Sequence, residues 1–310
     1  MTETKKEKWA FIVNPVAGNG RAKTLVPEIE QKIKEYKIDG EIFLTERPGH
    51  ASELSASIAG KGTRYIIAVG GDGTINEIAR PLLYNRDVIT GIIPAGTGND
   101  FDQITGFPGQ FKEKEWEIFF RKNVIPLDVG VVNNMIFLNG MGLGFDAEVA
   151  AQNYTPDGKV KKGGAHKYIW HIVKTLLFFR EKRMIVISDK WRQETDCFIN
   201  TVANGRRFAG GFFLTPQAVA NDGLLDVCSI KKLNLFHRFR LLLKVAKGTH
   251  ITDKRVNYFN TSSIELEFPD NVPFHVDGEL NFAKYFKIGI HPGGLNLIYN
   301  PDGDHYFSRQ

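Results

Sequence analysis

The chain has 310 residues, of which 42% are hydrophobic, so it can bury the cores of two ordinary domains, the number we expect. Its formal net charge of +5 favours an acidic partner, such as an anionic lipid, a nucleotide phosphate or a nucleic acid, without choosing among them. Cys197 and Cys228 are the only cysteines, and with no CxxC spacing or Cys/His cluster the sequence supports neither a disulfide framework nor a structural zinc site.

The sequence predicts neither a targeting segment nor a membrane span. The apolar run at residues 9–13 is too short for the hydrophobic region of a signal peptide. No other uninterrupted apolar stretch approaches the roughly 18 residues that suggest a spanning helix. We therefore expect a cytoplasmic protein in a reducing environment, with peripheral contact to the inner face of a membrane.

Strand and helix patterns alternate over the first 130 residues. Helix faces recur at a spacing of three or four residues, as in Leu25, Ile29 and Ile33. Alternation of this kind predicts a parallel sheet covered by helices. The predicted strands lie at residues 9–13, 42–45, 65–69 and 88–93.

Glycine-rich turns follow three of these strands. GGDGT at residues 70–74 lies between a strand and a helix, so its backbone N–H groups and the helix N-terminus face one point. PAGTGND at 94–100 and NPVAGNG at 14–20 follow two other strands, and loops at adjacent strand ends converge on one cleft. We predict a phosphate cradle, although a tight turn with a helix cap would explain residues 70–74 taken alone.

Carboxylates accompany these turns. Asp72 would repel a bare phosphate, and its presence makes sense if Mg²⁺ lies between them. Asp100 ends the second small-residue turn in the same way. Neither GxxxxGK[ST] nor a GxGxxG after the first strand occurs, so the phosphate-binding pattern differs from that of P-loop and dinucleotide-binding proteins.

The pattern changes after about residue 128 to closely spaced β-type runs, which predict an antiparallel sheet domain. Asn133-Asn134 is a predicted hairpin turn, because Asn tolerates a positive φ. Helices are predicted at about residues 167–181 and 235–246. The predicted strands lie at residues 129–132, 135–139, 184–188, 198–203, 225–230, 264–268, 274–277 and 286–290.

Five motifs together resemble the diacylglycerol kinase catalytic domain family, which includes bacterial lipid kinases and sphingosine kinases. The resemblance implies an NAD-kinase-like α/β nucleotide-binding domain at residues 1–130, rejoined by residues 295–310. It implies a β-rich lipid-substrate domain at residues 131–294, with the active site in the cleft between the domains. The motifs, in the family's order, are NPVAGNGR at 14–21, GGDGTINE at 70–77, PAGTGNDF at 94–101, NDGLLDV at 221–227 and VDGE at 276–279.

The resemblance also implies an activity, which is ATP-dependent transfer of the γ-phosphate to the hydroxyl of diacylglycerol or a similar lipid, with Mg²⁺. Asp72, Asp100 and Glu279 are implied in the Mg²⁺ network. The implied ATP-binding residues are Asn14, Thr45, Gly70, Gly71, Asp72, Gly73, Thr74, Asn76, Glu77 and Thr97.

Two further metal assignments compete with ordinary turns. Asp128 stands at the start of the second domain as a metal candidate, with a turn carboxylate as the alternative. Asp222 resembles the family's structural metal turn, in which it would bind Mg²⁺ with the carbonyls of Val219 and Leu224. An Asx-type turn is the alternative there.

The strand-end sequence VDGE offers two carboxylates for the removal of the lipid hydroxyl proton. With the resemblance, we predict Asp277 as the general base and Glu279 as a metal-network residue, and the reverse assignment stays open. An aspartate of ordinary pKa cannot ionise an alcohol in advance, so the proton should move late, as the phosphoryl bond forms.

Residues 167–183 combine apolar and basic side chains in a way that suits a helix touching an anionic membrane. A helix packed on the core is the alternative. The apolar members are Tyr168, Ile169, Trp170, Leu176, Leu177, Phe178 and Phe179, and the basic members are Lys174, Arg180, Lys182 and Arg183.

Two other functions are weighed against the lipid kinase. An NAD kinase shares GGDGT but has a pattern like NxGxxGF where this chain has GTGNDF. A non-catalytic nucleotide-binding regulator would be expected to lose acidic positions, and Asp72, Asp100, Asp277 and Glu279 are all present. The expected partner is a diacylglycerol-like lipid at a membrane surface and not nucleic acid, and a homodimer is left open.

Overall fold

The computed structural model describes residues 7–152, 165–188, 191–209 and 211–308. The chain divides into two units. The first unit takes in Met1–Val129, Val219–Asp222 and His291–Gln310, and the second takes in Gly130–Ala218 and Gly223–Ile290.

Strands and α-helices are numbered in chain order. The strands are β1 Lys8–Val13, β2 Asp39–Leu44, β3 Tyr65–Gly70, β4 Ile89–Pro94, β5 Val124–Val132, β6 Met135–Phe137, β7 Gly140–Gly144, β8 Lys182–Ser188, β9 Trp191–Ala203, β10 Leu225–Lys231, β11 Val256–Thr261, β12 Ser263–Val276 and β13 Glu279–Ile298. The helices are α1 Arg21–Thr24, α2 Val26–Glu35, α3 His50–Gly60, α4 Asp72–Ala79, α5 Asp102–Thr105, α6 Glu113–Phe120, α7 Phe145–Ala151, α8 Ala165–Phe178 and α9 Leu235–Val245.

The first unit contains the predicted parallel sheet, in the order β4, β3, β1, β2. Every residue of β3 and β4 is buried, as expected for strands covered by helices on both faces. Trp9 of β1 stacks on Tyr65 of β3 with ring centroids 4.0 Å apart. The prediction of an α/β first domain is confirmed, and all four strands end at the same edge of the sheet.

The C-terminal segment pairs with this sheet. Near the end of β13, Asn296 lies opposite Ile89 of β4 in parallel register. The sequence predicts the return from residue 295, and the first unit resumes at His291. The short stretch Val219–Asp222, predicted in the second domain, groups with the first unit, where the Ala220 N–H donates to the carbonyl of Tyr306 over 2.9 Å.

The second unit is a β-rich domain with antiparallel pairing, as predicted. Its strands run in the order β11, β10, β9, β7, β12, β13, and β8 pairs with β9 and β12. Asn133 has a φ of 52° between β5 and β6, which confirms the predicted hairpin turn.

Several features of the second unit differ from the prediction, among them β11 and α7, which the sequence does not predict. Strand β7 was not predicted, because its sequence GMGLG lacks the β-branched residues that mark strands. Glycine is needed there, since a Cβ on Gly142 would lie 2.1 Å from an Asp146 carboxylate oxygen. The strands predicted at 264–268 and 274–277 form the single strand β12, interrupted by an irregularity between Glu267 and Val272.

Within the described ranges, no helix is both long and apolar enough to cross a membrane.

Candidate active site

The three glycine-rich turns of the first unit meet at the carboxyl edge of the parallel sheet. The carbonyl of Gly70 accepts the N–H of Ala95 over 2.7 Å and that of Gly96 over 3.1 Å. The Asn14 N–H donates to the carbonyl of Val69 over 3.0 Å. These bonds join the turn after β1, the turn after β3 and the turn after β4, so the predicted convergence is confirmed.

Glycine is required where these turns touch. A Cβ on Gly18 would lie 2.0 Å from the carbonyl oxygen of Ala95, and Gly18 has a left-handed φ of 58°. A Cβ on Gly96 would lie 2.6 Å from the Cα of Gly71. Backbones without side chains can approach a phosphate closely, so this arrangement fits a phosphate cradle.

Asp72 fastens two of the turns together. It is the first residue of α4, and its carboxylate accepts the N–H of Asp100 over 3.2 Å and that of Phe101 over 3.0 Å. Burial raises the pKa of Asp72, although the same amides act to lower it. Asp72 therefore positions Asp100, the second predicted metal carboxylate, within the same turn cluster.

Other predicted nucleotide residues lie at the same edge. The Asn14 side-chain amide donates to the Thr74 hydroxyl over 3.3 Å. Thr45 is buried just after β2, and its N–H donates to the carbonyl of Val13 over 2.9 Å. Thr97 is exposed on the turn after β4. The structure thus brings residues from four strand ends to one region.

In the second unit, Asp277 lies between β12 and β13 with a left-handed φ of 46°. Its carboxylate accepts three backbone N–H bonds, from Leu138 over 2.8 Å, Asn139 over 3.0 Å and Gly140 over 2.9 Å. Asp277 therefore holds the connection between β6 and β7. Glu279, two residues later, is exposed at the first position of β13.

Each of the two units matches a known domain family. The diacylglycerol kinase catalytic domain matches residues 8–132, and the YegS C-terminal NAD kinase beta sandwich-like domain matches residues 140–299. The diacylglycerol kinase of Bacillus subtilis (strain 168) is 30% identical over 295 residues, which cover 93% of each chain. This chain belongs to the diacylglycerol kinase catalytic domain family.

Further relatives of this family member agree with that assignment. A Cronobacter sakazakii protein named "Probable lipid kinase YegS-like" is 28% identical over 267 residues, 84% of this chain and 87% of that one. A crystal structure of a diacylglycerol kinase from Bacillus anthracis str. Sterne has a TM-score of 0.72 at 24% identity, covering 96% of this chain and 99% of that chain. A second crystal structure from the same organism reaches 0.79 at 27% identity, covering 97% and 98%. The two-domain family fold is thereby established.

Two residues of the family motif GGDGTINE have structural contacts of their own. The Glu77 carboxylate accepts the N–H of Gly49 over 3.0 Å and that of Ala51 over 3.2 Å, where α3 begins. A carboxylate at a helix N-terminus satisfies amides that lack a helical partner. Asn76 accepts a bond from Arg80 over 2.9 Å. The ATP-binding role implied for both stays a prediction.

Structural contacts bear on the two metal candidates for which a turn is the alternative. Asp128 is buried, and one of its oxygens accepts the N–H of Gly293 over 2.6 Å, where the backbone has a left-handed φ of 54°. This contact fits the turn carboxylate that the sequence leaves as the alternative, and the metal role of Asp128 stays a prediction. Val219 and Asp222 belong to the first unit and Leu224 to the second, so the structural metal site stays a prediction.

Sequence reasoning missed Asp102 in this family member. Its side chain is fully buried, and neither carboxylate oxygen has a hydrogen-bond partner among the described residues. Burial, reinforced by the charges of Asp72 and Asp100, raises the pKa of Asp102 well above its usual value. The buried Oδ1 of Asn99 also lacks a partner there. The only sign of Asp102 in the sequence is its position two residues after Asp100, which places a second carboxylate beside the same turn.

Few carboxylates in the described residues are placed to bind Mg²⁺. No group of three His, Cys, Asp or Glu side chains within the described ranges has metal-binding geometry. Mg²⁺ in kinases is typically held by one or two carboxylates together with substrate phosphates and water. Asp72 and Asp100, beside a glycine cradle for phosphates, fit that arrangement, and the orphaned oxygens of Asp102 add acceptors nearby.

Proposed function

We propose that this protein is an ATP-dependent kinase that transfers the γ-phosphate to the hydroxyl of diacylglycerol or a similar lipid. The observation that carries the proposal is the meeting of three glycine turns at the carboxyl edge of a parallel sheet, in a chain of this family. Relatives named as lipid or diacylglycerol kinases support it. The choice of acceptor lipid is the finer part of the proposal.

The first task of the chain is to hold the triphosphate. Gly71 and Gly96 keep side chains out of the cradle, and α4 directs its N-terminal amides to the same turn. Bound ATP would supply the transferred phosphoryl group and Mg²⁺ the neutralisation of its charge. Asp72 contributes by fixing the turn that carries Asp100.

The second task is to accept the proton of the lipid hydroxyl. A carboxylate has about four lone-pair sites, and three backbone donors already bind the oxygens of Asp277. This favours the reverse of the sequence-based assignment, with Asp277 positioning the β6–β7 connection and the exposed Glu279 accepting the proton. Action of both units in one cleft stays a prediction from the resemblance.

The test is phosphorylation of a panel of lipids with radiolabelled ATP, followed by extraction into organic solvent. The panel contains diacylglycerol, undecaprenol, phosphatidylglycerol, ceramide and monoacylglycerol. We expect label in the organic phase for diacylglycerol or a closely similar alcohol, and only with a divalent cation. Nucleotide binding without label on any acceptor would support a non-catalytic regulator.

NAD kinase activity is the second candidate, because the second unit matches a domain described as NAD kinase beta sandwich-like. The turn sequence GTGNDF after β4 speaks against it. NAD is therefore included in the panel as a water-soluble acceptor. Label that remains in the aqueous phase as a phosphorylated dinucleotide would replace the lipid kinase proposal.

A further inference from the structure

Helix α9 carries apolar side chains on two sides. Leu241 and Val245 are buried against the second unit. Phe236 and Leu243 are both 71% exposed on the outer side, where Leu235 and Phe239 are exposed as well. A surface helix normally has a single apolar face directed to the core, so the outer apolar stripe needs another explanation.

The chain segment that contains this outer stripe carries basic but no acidic side chains. No Asp or Glu occurs between Asp226 and Asp253. Arg240 is exposed on α9, and Lys247 is exposed just beyond its end. Exposed apolar side chains combined with basic and no acidic ones along one helix are the composition of a helix that lies in the interface of an anionic bilayer.

Helix α8, which is hydrogen-bonded to α9, carries exposed apolar side chains as well. Phe178, its last residue, is 74% exposed, and Trp170 and Leu177 are also exposed. The buried Arg238 of α9 donates to the carbonyl of Leu176 over 2.8 Å, which fastens the two helices together. The side chains of Tyr168 and Ile169, named in the sequence analysis, lie outside the described residues.

We propose that α9 and α8 together form a docking face that binds the surface of an anionic lipid bilayer. The docking face consists of Leu235, Phe236, Phe239, Arg240, Leu243 and Lys247 with Trp170, Leu177 and Phe178. The apolar groups enter the boundary between headgroups and acyl chains, and the cations stay at the level of the lipid phosphates. This surface deepens the proposed lipid kinase function and rests on it, since a lipid acceptor stays in the membrane.

Charge favours a bilayer over a second copy of the chain as the occupant. Two copies meeting through this face would offer no acidic side chain of the face to Arg240 or Lys247, and the charges brought together would all be positive. Like charges facing each other oppose association and suppress that pairing. Anionic headgroups complement the same residues.

The decisive variant removes the apolar stripe without touching the core. Phe236→Ser combined with Leu243→Ser is compared with Tyr84→Ser, which removes an aromatic side chain that is 51% exposed in the first unit. Binding is measured without nucleotide, by sedimentation with phosphatidylcholine vesicles containing about one third phosphatidylglycerol. We expect the double variant to bind at least about tenfold more weakly and the control to match the wild-type protein.

A charge variant tests the basic border. Arg240→Glu and Lys247→Glu should each weaken binding to anionic vesicles about fivefold, and salt should weaken wild-type binding in the same direction. Lys61→Glu, an exposed change at the end of α3, is the matched control for net charge. Equal wild-type binding to pure phosphatidylcholine vesicles would contradict the role of charge.

Three results would overturn the docking face. The first is absence of wild-type sedimentation with anionic vesicles, and the second is sedimentation of the double variant that equals that of wild type. The third is a wild-type protein that forms a dimer and binds no vesicles, while the double variant is a monomer. Light scattering provides the last measurement. Phosphorylation of short-chain diacylglycerol in detergent separates the docking face from the lipid kinase activity. A protein that sediments with vesicles but phosphorylates no lipid would refute the proposed kinase activity and leave the docking face standing.

Discussion

At the residue scale, the close contacts of Gly71 leave no room for a larger side chain in the proposed phosphate cradle. Gly71→Val would place a Cβ 3.0 Å from the Cα of Gly96 and push two further methyl groups into the same gap. We expect ATP affinity in a calorimetric titration to fall by at least about tenfold while the thermal transition persists. Gly60→Val is the control, since no heavy atom lies within 4 Å of its added Cβ. Wild-type affinity in Gly71→Val would refute the cradle.

Variants of the two carboxylates of VDGE are expected to differ both in protein stability and in catalytic rate. Asp277→Asn sets an NH₂ group against a backbone N–H donor, so we expect the free energy of unfolding to fall by about 1–3 kcal/mol. Glu279→Gln should leave stability unchanged and lower kcat by roughly 10² to 10⁴. Denaturant titration and steady-state kinetics check the pair. If Asp277→Asn loses rate at full stability, Asp277 is the base, as the sequence predicts.

Asp102 gives a pH-dependent prediction with a definite sign. Its pKa in the folded protein is raised by burial, so the unfolded chain releases this proton at a lower pH than the folded one. Stability is therefore lost as pH rises from about 4 toward the folded pKa. We expect Asp102→Asn to avoid that loss, so near neutral pH its free energy of unfolding should exceed that of wild type by about 1–3 kcal/mol. A gain that is equal at pH 4 and pH 7 would contradict this origin.

At the scale of elements, one buried arginine holds α9 to its neighbours. Arg238 donates to the carbonyls of Leu233, Leu176 and Phe179, and it pairs with the buried Glu181 over 2.7 Å. Arg238→Ala leaves the carboxylate and three carbonyls without their donor, so we expect a loss of about 3–5 kcal/mol in unfolding free energy.

The control for that loss lies on the same helix. Arg240→Ala removes an exposed side chain, and its effect on the free energy of unfolding should stay within about 0.5 kcal/mol. Similar losses in both variants would show that the loss of any arginine side chain from α9, and not the Arg238 contacts in particular, causes the effect.

At the scale of the whole molecule, the first unit depends on the end of the chain. Residues 291–310 supply the neighbour of β4 and several buried side chains, among them Leu297 and Tyr306. Each such side chain contributes roughly 1.5–3 kcal/mol by burial, and a whole domain is stable by only about 5–15 kcal/mol. We expect a chain ending at Ile290 to lose the cooperative unfolding of the first unit, measured by circular dichroism. A truncated chain with the full-length transition would contradict this dependence.

The sequence by itself determined the parallel sheet, its glycine turns and the change to a β-rich second unit. Buried parallel strands require near-continuous apolar runs, and tight phosphate turns require glycine, so both leave a local record in the chain. Strand β7 left no such record. Gly140 makes room for Ala203 of β9 and Gly142 for His275 of β12, and the need for that room arises only when distant strands pack together.

The tertiary structure alone decided what several polar and apolar groups contact. The three donors to Asp277 lie 137 to 139 residues away in the chain, and Asp102 is orphaned because the folded unit excludes water from it. The sequence also marks α9 as a helix with apolar residues around much of its surface. Which of those residues face water depends on where the second unit ends, because burial is a property of the packed neighbours and not of the helix itself.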